Sequence, residues 1–133
     1  MILVDTSVWV DFFSAAATPQ VEMLEQHIGQ GEDICICGII LAEVLQGIRD
    51  EKICRRTEAY FDDLVYLPME RSTFLRAARV YRSLRSKGVT VRKPVDCMIA
   101  AVALEHDVPL LHNDRDFLPM EKYFHLKTPL PQS

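Results

Sequence analysis

Apolar positions along this chain come in two rhythms, and their alternation predicts the fold class. Short unbroken apolar runs occur at Met1-Ile2-Leu3-Val4, Ile34-Cys35-Ile36-Cys37, Val65-Tyr66-Leu67 and from Val108 to Leu111. A run without polar alternation suits a strand covered on both faces, as inside a parallel sheet. Between these runs the period is helical. Val8, Trp9, Phe12 and Phe13 share one face of a helix beginning near Val8. Thr18-Pro19 supplies an N-cap and a first helical residue for a helix through His27 that stops at Gly29 or Gly31. Gly38 admits a helix from about Ile39 to Ile48, and a more polar one follows from about Glu51 to Leu64. Ser72 to Ser86 has the clearest helical pattern, with Phe74, Ala77, Ala78, Tyr81 and Leu84 as its apolar stripe and Lys87-Gly88 as its end. Pro94 opens a helix to Leu104 that is apolar nearly all round and is therefore buried. His112 to Phe117 reads as a turn with little regular structure, and Phe124-His125-Leu126 as a short final strand. Alternating strands and helices predict an α/β fold: a three-layer sandwich whose central parallel sheet of four to five strands is flanked by helices.

Composition narrows the class without naming a chemistry. The 133 residues suit one domain spanning 1–133, long enough to bury roughly 68% of the unfolded chain's surface. Hydrophobic residues make up 49% and charged residues 26%, with no low-complexity tract or internal repeat, which fits a globular protein. No apolar run approaches membrane-spanning length, and no basic leader precedes Asp5, so a cytoplasmic location and no membrane partner are expected. Cys35 and Cys37 point to one face of a strand, and Cys54 and Cys97 stand alone. With no Cys-x-x-Cys pair and no zinc-ligand spacing among His27, His106, His112 and His125, buried reduced thiols are expected.

Charge changes the picture more. The net charge of −4 argues against a polyanion partner, but between Arg71 and Lys93 there are eight basic residues and no acidic one. That leaves seven basic residues against all 19 acidic ones elsewhere. Arg76, Arg79, Arg82 and Arg85 recur every three residues along the predicted helix, and Arg92 and Lys93 lead from it towards Asp96. A solvated face normally mixes signs; a uniformly positive track on an acidic protein suits phosphate groups.

The acidic residues are placed where ordinary surface charge is not. Asp5 ends the first strand, Asp114 and Asp116 follow the fourth, Asp96 lies in the first turn of the most apolar helix, and Glu43 interrupts another apolar helix. Singly, Asp5 and Asp96 read as helix caps, Glu43 as part of an exposed stripe with Gln46 and Asp50, and Asp114 and Asp116 as an Asx turn. Together they converge, because strand C-termini and the helix N-termini that follow share one edge of a parallel sheet. Each close carboxylate pair repels by about 4 kcal/mol at an effective dielectric of 20. Divalent cations make such a cluster tolerable, and all-oxygen ligands select Mg2+ or Mn2+ over zinc. The chemistry these sites serve is attack of a metal-activated water on a phosphodiester.

Ile2-Leu3-Val4-Asp5-Thr6-Ser7, Glu43 in its apolar helix, Asp96-Cys97-Met98-Ile99-Ala100-Ala101 and Asn113-Asp114-Arg115-Asp116-Phe117 resemble the motifs of PIN-domain ribonucleases. At this length the chain most resembles the VapC toxins of bacterial toxin–antitoxin pairs. The resemblance implies a Mg2+-dependent endoribonuclease, with Mn2+ able to substitute, that inhibits translation. It puts Asp5, Glu43, Asp96 and Asp114 at the catalytic and metal-binding positions with Asp116 assisting, and Thr6 or Ser7 lining the site. RNA substrates such as transfer or ribosomal RNA, a small VapB-type antitoxin and a homodimer are implied in the same way. Arg79, Arg82 and Arg92 are the expected contacts to RNA phosphates. His112 departs from the Thr or Ser common before the last acidic motif, and is read as touching substrate or holding the loop.

Three other readings compete. A haloacid-dehalogenase-type phosphatase also begins with a strand ending in Asp, but typically has a second Asp two residues on, where this chain has Ser7. A PIN-like scaffold that binds RNA or protein without cleaving it is disfavoured because every acidic position is filled. An RNA-processing PIN nuclease without an antitoxin keeps the same site.

Overall fold

The structure is a computed structural model and describes residues 1–129. Four short strands form one sheet: β1 (Ile2–Val4), β2 (Ile34–Ile36), β3 (Val65–Tyr66) and β4 (Leu110–Leu111). Their order is β3-β2-β1-β4 and every pairing is parallel. Ile2 pairs with Ile34, Leu3 with both Cys35 and Leu110, and Val4 with Leu111. All residues of β1, β2 and β4 are buried, which explains their lack of alternation.

Paired helices connect the strands. α1 (Thr6–Phe13) and α2 (Pro19–Gly29) join β1 to β2, α3 (Gly38–Gln46) and α4 (Glu51–Asp62) join β2 to β3, and α5 (Arg71–Ser86) and α6 (Pro94–Glu105) join β3 to β4. With this strand order, the right-handed rule for parallel crossovers assigns the first two pairs to one face of the sheet and α5 with α6 to the other. Trp9 of α1 is fully buried and ties α1 to α4 through Phe61, at 5.1 Å between ring centroids. Gly88, with φ of +78°, turns the chain out of α5 in a conformation that suits glycine.

Two sequence expectations are corrected. The predicted final strand at Phe124-His125-Leu126 is absent among the described residues, and α7 (Leu118–Phe124) occupies its start. Pro119 sits in the first turn of α7, and His125 adopts a left-handed conformation at its end. One backbone bond, from Leu110 N–H to Lys127 C=O at 2.8 Å, is what reaches β4 there. The sheet therefore has four strands, the lower end of the expected range. On α5 the buried residues are Thr73, Ala77, Val80 and Leu84, so the stripe is rotated from its expected position and Phe74 is 45% exposed. Thr73 can be buried because its hydroxyl donates to the Glu105 carboxylate at 2.6 Å.

The strand order reverses between β1 and β4: the chain proceeds from β1 through β2 to β3, then returns to the other side of β1. Such a switch point opens a crevice at the strand C-termini, where ligands of α/β proteins collect. Asp5 and His112 are the first residues beyond these two strands.

Candidate active site

Asp5 leaves β1 and caps α1, so its backbone is fixed from both sides. Its N–H donates to Leu111 C=O across to β4 at 2.9 Å. Its side chain is buried and accepts from the Ser7 N–H at 3.0 Å and the Ser7 hydroxyl at 2.6 Å. The Ser7 oxygen in turn accepts from Asn113 N–H at 3.0 Å, which links the β1 and β4 loops. Beside it, the Thr6 hydroxyl donates to Glu43 at 2.8 Å, holding the half-buried Glu43 carboxylate of α3 against the start of α1. Thr6 and Ser7 thus position carboxylates.

The other half of the site faces these residues from α6 and the loop after β4. Asp96, Asp114 and Asp116 each offer an oxygen within 4.8 Å of the others. Asp114 caps the 3₁₀ turn Arg115–Phe117 by accepting from Asp116 N–H at 2.9 Å, so the Asx-turn reading and the clustered reading hold at once. His112 holds this loop: its Nδ1 accepts from Asp114 N–H at 3.2 Å, while Nε2 lies 2.6 Å from Glu121 of α7. Accepting at Nδ1 leaves the proton on Nε2 facing Glu121. Of the two roles read for His112, the loop-holding one is the one it performs here.

Asp96 stands apart electrostatically. It is only 4% exposed, and its Oδ2 is buried without a hydrogen-bond donor. Burial pushes its carboxyl up to about 7 from the ordinary 3.8; Lys93 opposes the rise, and Asp114, Asp5 and Asp116 add to it. Asp5 therefore lies near enough to Asp96 for its charge to disfavour the ionised form there. Asp114 moves the other way. Burial would raise it, but the hydrogen bond from Lys93, the Asp116 N–H and the Lys93 charge hold it below the usual range.

Two cations close the acidic edge. Lys93 Nζ lies 2.8 Å from Asp114 Oδ2, 3.7 Å from Asp96 Oδ2 and 4.0 Å from Asp116 Oδ2. Arg92 donates to both oxygens of Asp116, at 3.0 and 3.2 Å. The sequence pattern places Lys93 only in the basic track and does not reveal this contact; its one signal is a lysine three residues before Asp96. Arg79 and Arg82 lie exposed on α5, along a shallow groove they share with Ser83, Arg85 and Ser86. The thiols take no part: all four are free, and burial pushes Cys35 and Cys97 up to about 11.

A PIN-domain family model matches residues 2–122, nearly the whole described chain. The chain belongs to the PIN-domain family. Among relatives within it, the VapC ribonuclease Mb1587 of Mycobacterium bovis is 36% identical over 119 residues, covering 88% of this chain and 89% of the relative. Ribonuclease VapC19 of Mycobacterium tuberculosis is 30% identical over 122 residues, covering 90% and 94%. The fold of this PIN domain is shared with VapBC2 of Rickettsia felis, solved bound to a promoter DNA fragment, with a TM-score of 0.76, 18% identity and coverage of 97% and 98%. The sequence resemblance and the fold therefore agree on one family. No helix among the described residues is long and apolar enough to cross a membrane.

Proposed function

We propose that this chain is a metal-dependent endoribonuclease and the toxin of a VapBC-type pair, held in check by a small VapB-type antitoxin. The observation that carries the metal reading is Asp96, buried at a sheet switch point with an oxygen that no donor reaches, beside two further carboxylates. A divalent cation supplies the missing charge, and the all-oxygen donor set fits Mg2+, with Mn2+ as substitute. Asp96, Asp114 and Asp116 would hold it, with Asp5 at the end of β1 and Glu43 on α3 across from them. Such an ion activates an attacking water and stabilises the charge that builds on the leaving oxygen.

The chain's own residues do the remaining work. Ser7 and Thr6 aim Asp5 and Glu43 through hydroxyl donors that carry no charge. Asp5 and Glu43 are then available to orient the attacking water and take its proton. Arg79 and Arg82 would bind RNA phosphates along α5, and Arg92 would do so from the rim of the acidic edge. The RNA, transfer or ribosomal RNA included, comes in as a flexible strand laid across the switch-point edge. A homodimer is part of the same reading.

The test is incubation of the purified chain with total cellular RNA and Mg2+ or Mn2+, with mapping of the new ends. Hydrolysis by water leaves a 5′-phosphate and a 3′-hydroxyl. Ends carrying a 2′,3′-cyclic phosphate would mean attack by the ribose hydroxyl, and the mechanism would be wrong.

A further inference from the structure

Lys93 occupies a position that helix formation does not explain. It is the N-cap residue of α6, makes no side-chain cap bond, and brings positive charge to the positive end of a helix, where cations are disfavoured. Its side chain nevertheless turns back over the first turn, with its ammonium within 4.0 Å of three carboxylates. What holds it there is the acidic cluster, not the helix.

We propose that Lys93 is a tethered counter-ion of the metal-free site, and that a divalent cation binds by displacing its ammonium from Asp114 and Asp96. This rests on the metal reading above and adds a competitor to it. Both cations claim the same oxygens. The ammonium is 2.8 Å from Asp114 Oδ2, and a Mg2+ ion would approach the same carboxylate to about 2.0–2.1 Å, so the two cannot share it without strong repulsion. The occupation is also incomplete. Nζ is 3.7 Å from Asp96 Oδ2, and that oxygen has no hydrogen bond. A monovalent ammonium therefore offsets one negative charge while leaving the buried ligand for a stronger cation. Exit is open as well: the Lys93 side chain is 51% exposed, and its flexible four-carbon stem can swing the charge into water. Arg92 differs, since it grips one carboxylate, Asp116, from the rim.

The consequence is a site with a raised threshold for metal. Lys93 offsets part of the negative charge of the acidic edge at low divalent-ion concentration and weakens apparent metal affinity by competition.

The experiment is titration of the metal-stripped full chain with Mn2+, following free Mn2+ by electron paramagnetic resonance, in wild type, Lys93→Met, Lys93→Arg and Asp114→Asn. Lys93→Met should tighten Mn2+ binding by about tenfold or more, because a competing charge is gone. Lys93→Arg keeps the charge and should stay within about threefold of wild type. The melting temperature of metal-free Lys93→Met should fall while its rise on adding Mn2+ should exceed that of wild type. Should Lys93→Met fail to fold, Lys93→Gln serves the same comparison. Equal or weaker Mn2+ binding on loss of the lysine charge overturns the competition and leaves the metal site standing. No saturable Mn2+ binding by any variant, or binding indifferent to Asp114→Asn, overturns the metal site and the competition with it.

Discussion

The two halves of the acidic edge hold the same kind of group by opposite means. On the β1 side, Asp5 and Glu43 are held by the neutral hydroxyls of Ser7 and Thr6. On the β4 side, Asp114 and Asp116 are held by Lys93 and Arg92. Hydroxyls fix direction and leave the negative charge in place; cations cancel the charge and can be exchanged for another cation. The first half is thus built to aim, and the second to change partners. Between them lies Asp96, buried, with an Oδ2 that neither set hydrogen-bonds and that Lys93 approaches only to 3.7 Å.

The sharpest way to break this comparison is through activity. Asp5→Asn and Glu43→Gln keep size and hydroxyl contacts but remove charge, so RNA cleavage should fall by on the order of a hundredfold or more while the fold survives. Gel-based cleavage assays alongside circular dichroism check this, and unchanged cleavage would remove the β1 half from the reaction.

Stability separates the halves next. Because folding raises the Asp96 carboxyl from 3.8 to about 7, the folded state binds that proton more tightly than the unfolded chain. Its stabilising contribution is full below about pH 4 and is lost as pH rises through 7. Asp96→Asn imitates the protonated form, so it should stabilise the metal-free protein by on the order of 2–4 kcal/mol at pH 8 and by almost nothing at pH 4. Denaturant melts at both pH values read this directly. A gain of the same size at both would mean that Asp96 carries no buried charge. Mg2+ at millimolar concentration should raise the melting temperature of wild type more than that of Asp96→Asn.

A smaller effect tests the hydroxyl side. Ser7→Ala removes both the bond to Asp5 and the acceptor for Asn113 N–H, and should cost about 1–2 kcal/mol at every pH. A cost that varies steeply with pH would assign Ser7 to charge balance. The smallest effect on stability belongs to α5. Arg79→Gln with Arg82→Gln should leave the melting temperature nearly unchanged while weakening RNA binding. Each arginine that no longer neutralises a phosphate should lower the salt slope by about 0.7–0.9. Wild-type affinity and slope together would make these arginines a solvated surface only.

Much of this edge is legible in the sequence because its residues sit in the wrong company. Asp5 after an unbroken apolar run, and Asp96 in the first turn of an apolar helix, stand out wherever charge is scarce. The strands are legible for the same reason, as burial on both faces leaves no alternation to misread. What escapes depends on contacts between distant residues. Thr73 is buried because Glu105, 32 positions on, accepts its hydrogen bond, and this rotates the α5 stripe away from Phe74. The run from Phe124 to Leu126 resembles a strand, but Pro119 and the spacing of Phe117, Met120 and Phe124 carry a helix signal that outweighs it. The Lys93 contact with Asp114 bridges 21 positions, and only its nearness to Asp96 hints at it.

The strand order has a consequence for the moment of synthesis. β1 emerges from the ribosome first, yet its partner β4 and the loop that carries Asp114 are made about a hundred residues later; Ser7 and Asn113, which join the two, are 106 positions apart. A nascent chain that has folded β1, β2 and β3 holds Asp5 and Glu43 without Asp96, Asp114 or Asp116. The acidic edge is thus completed only when β4 pairs with β1 and brings Asn113 to Ser7.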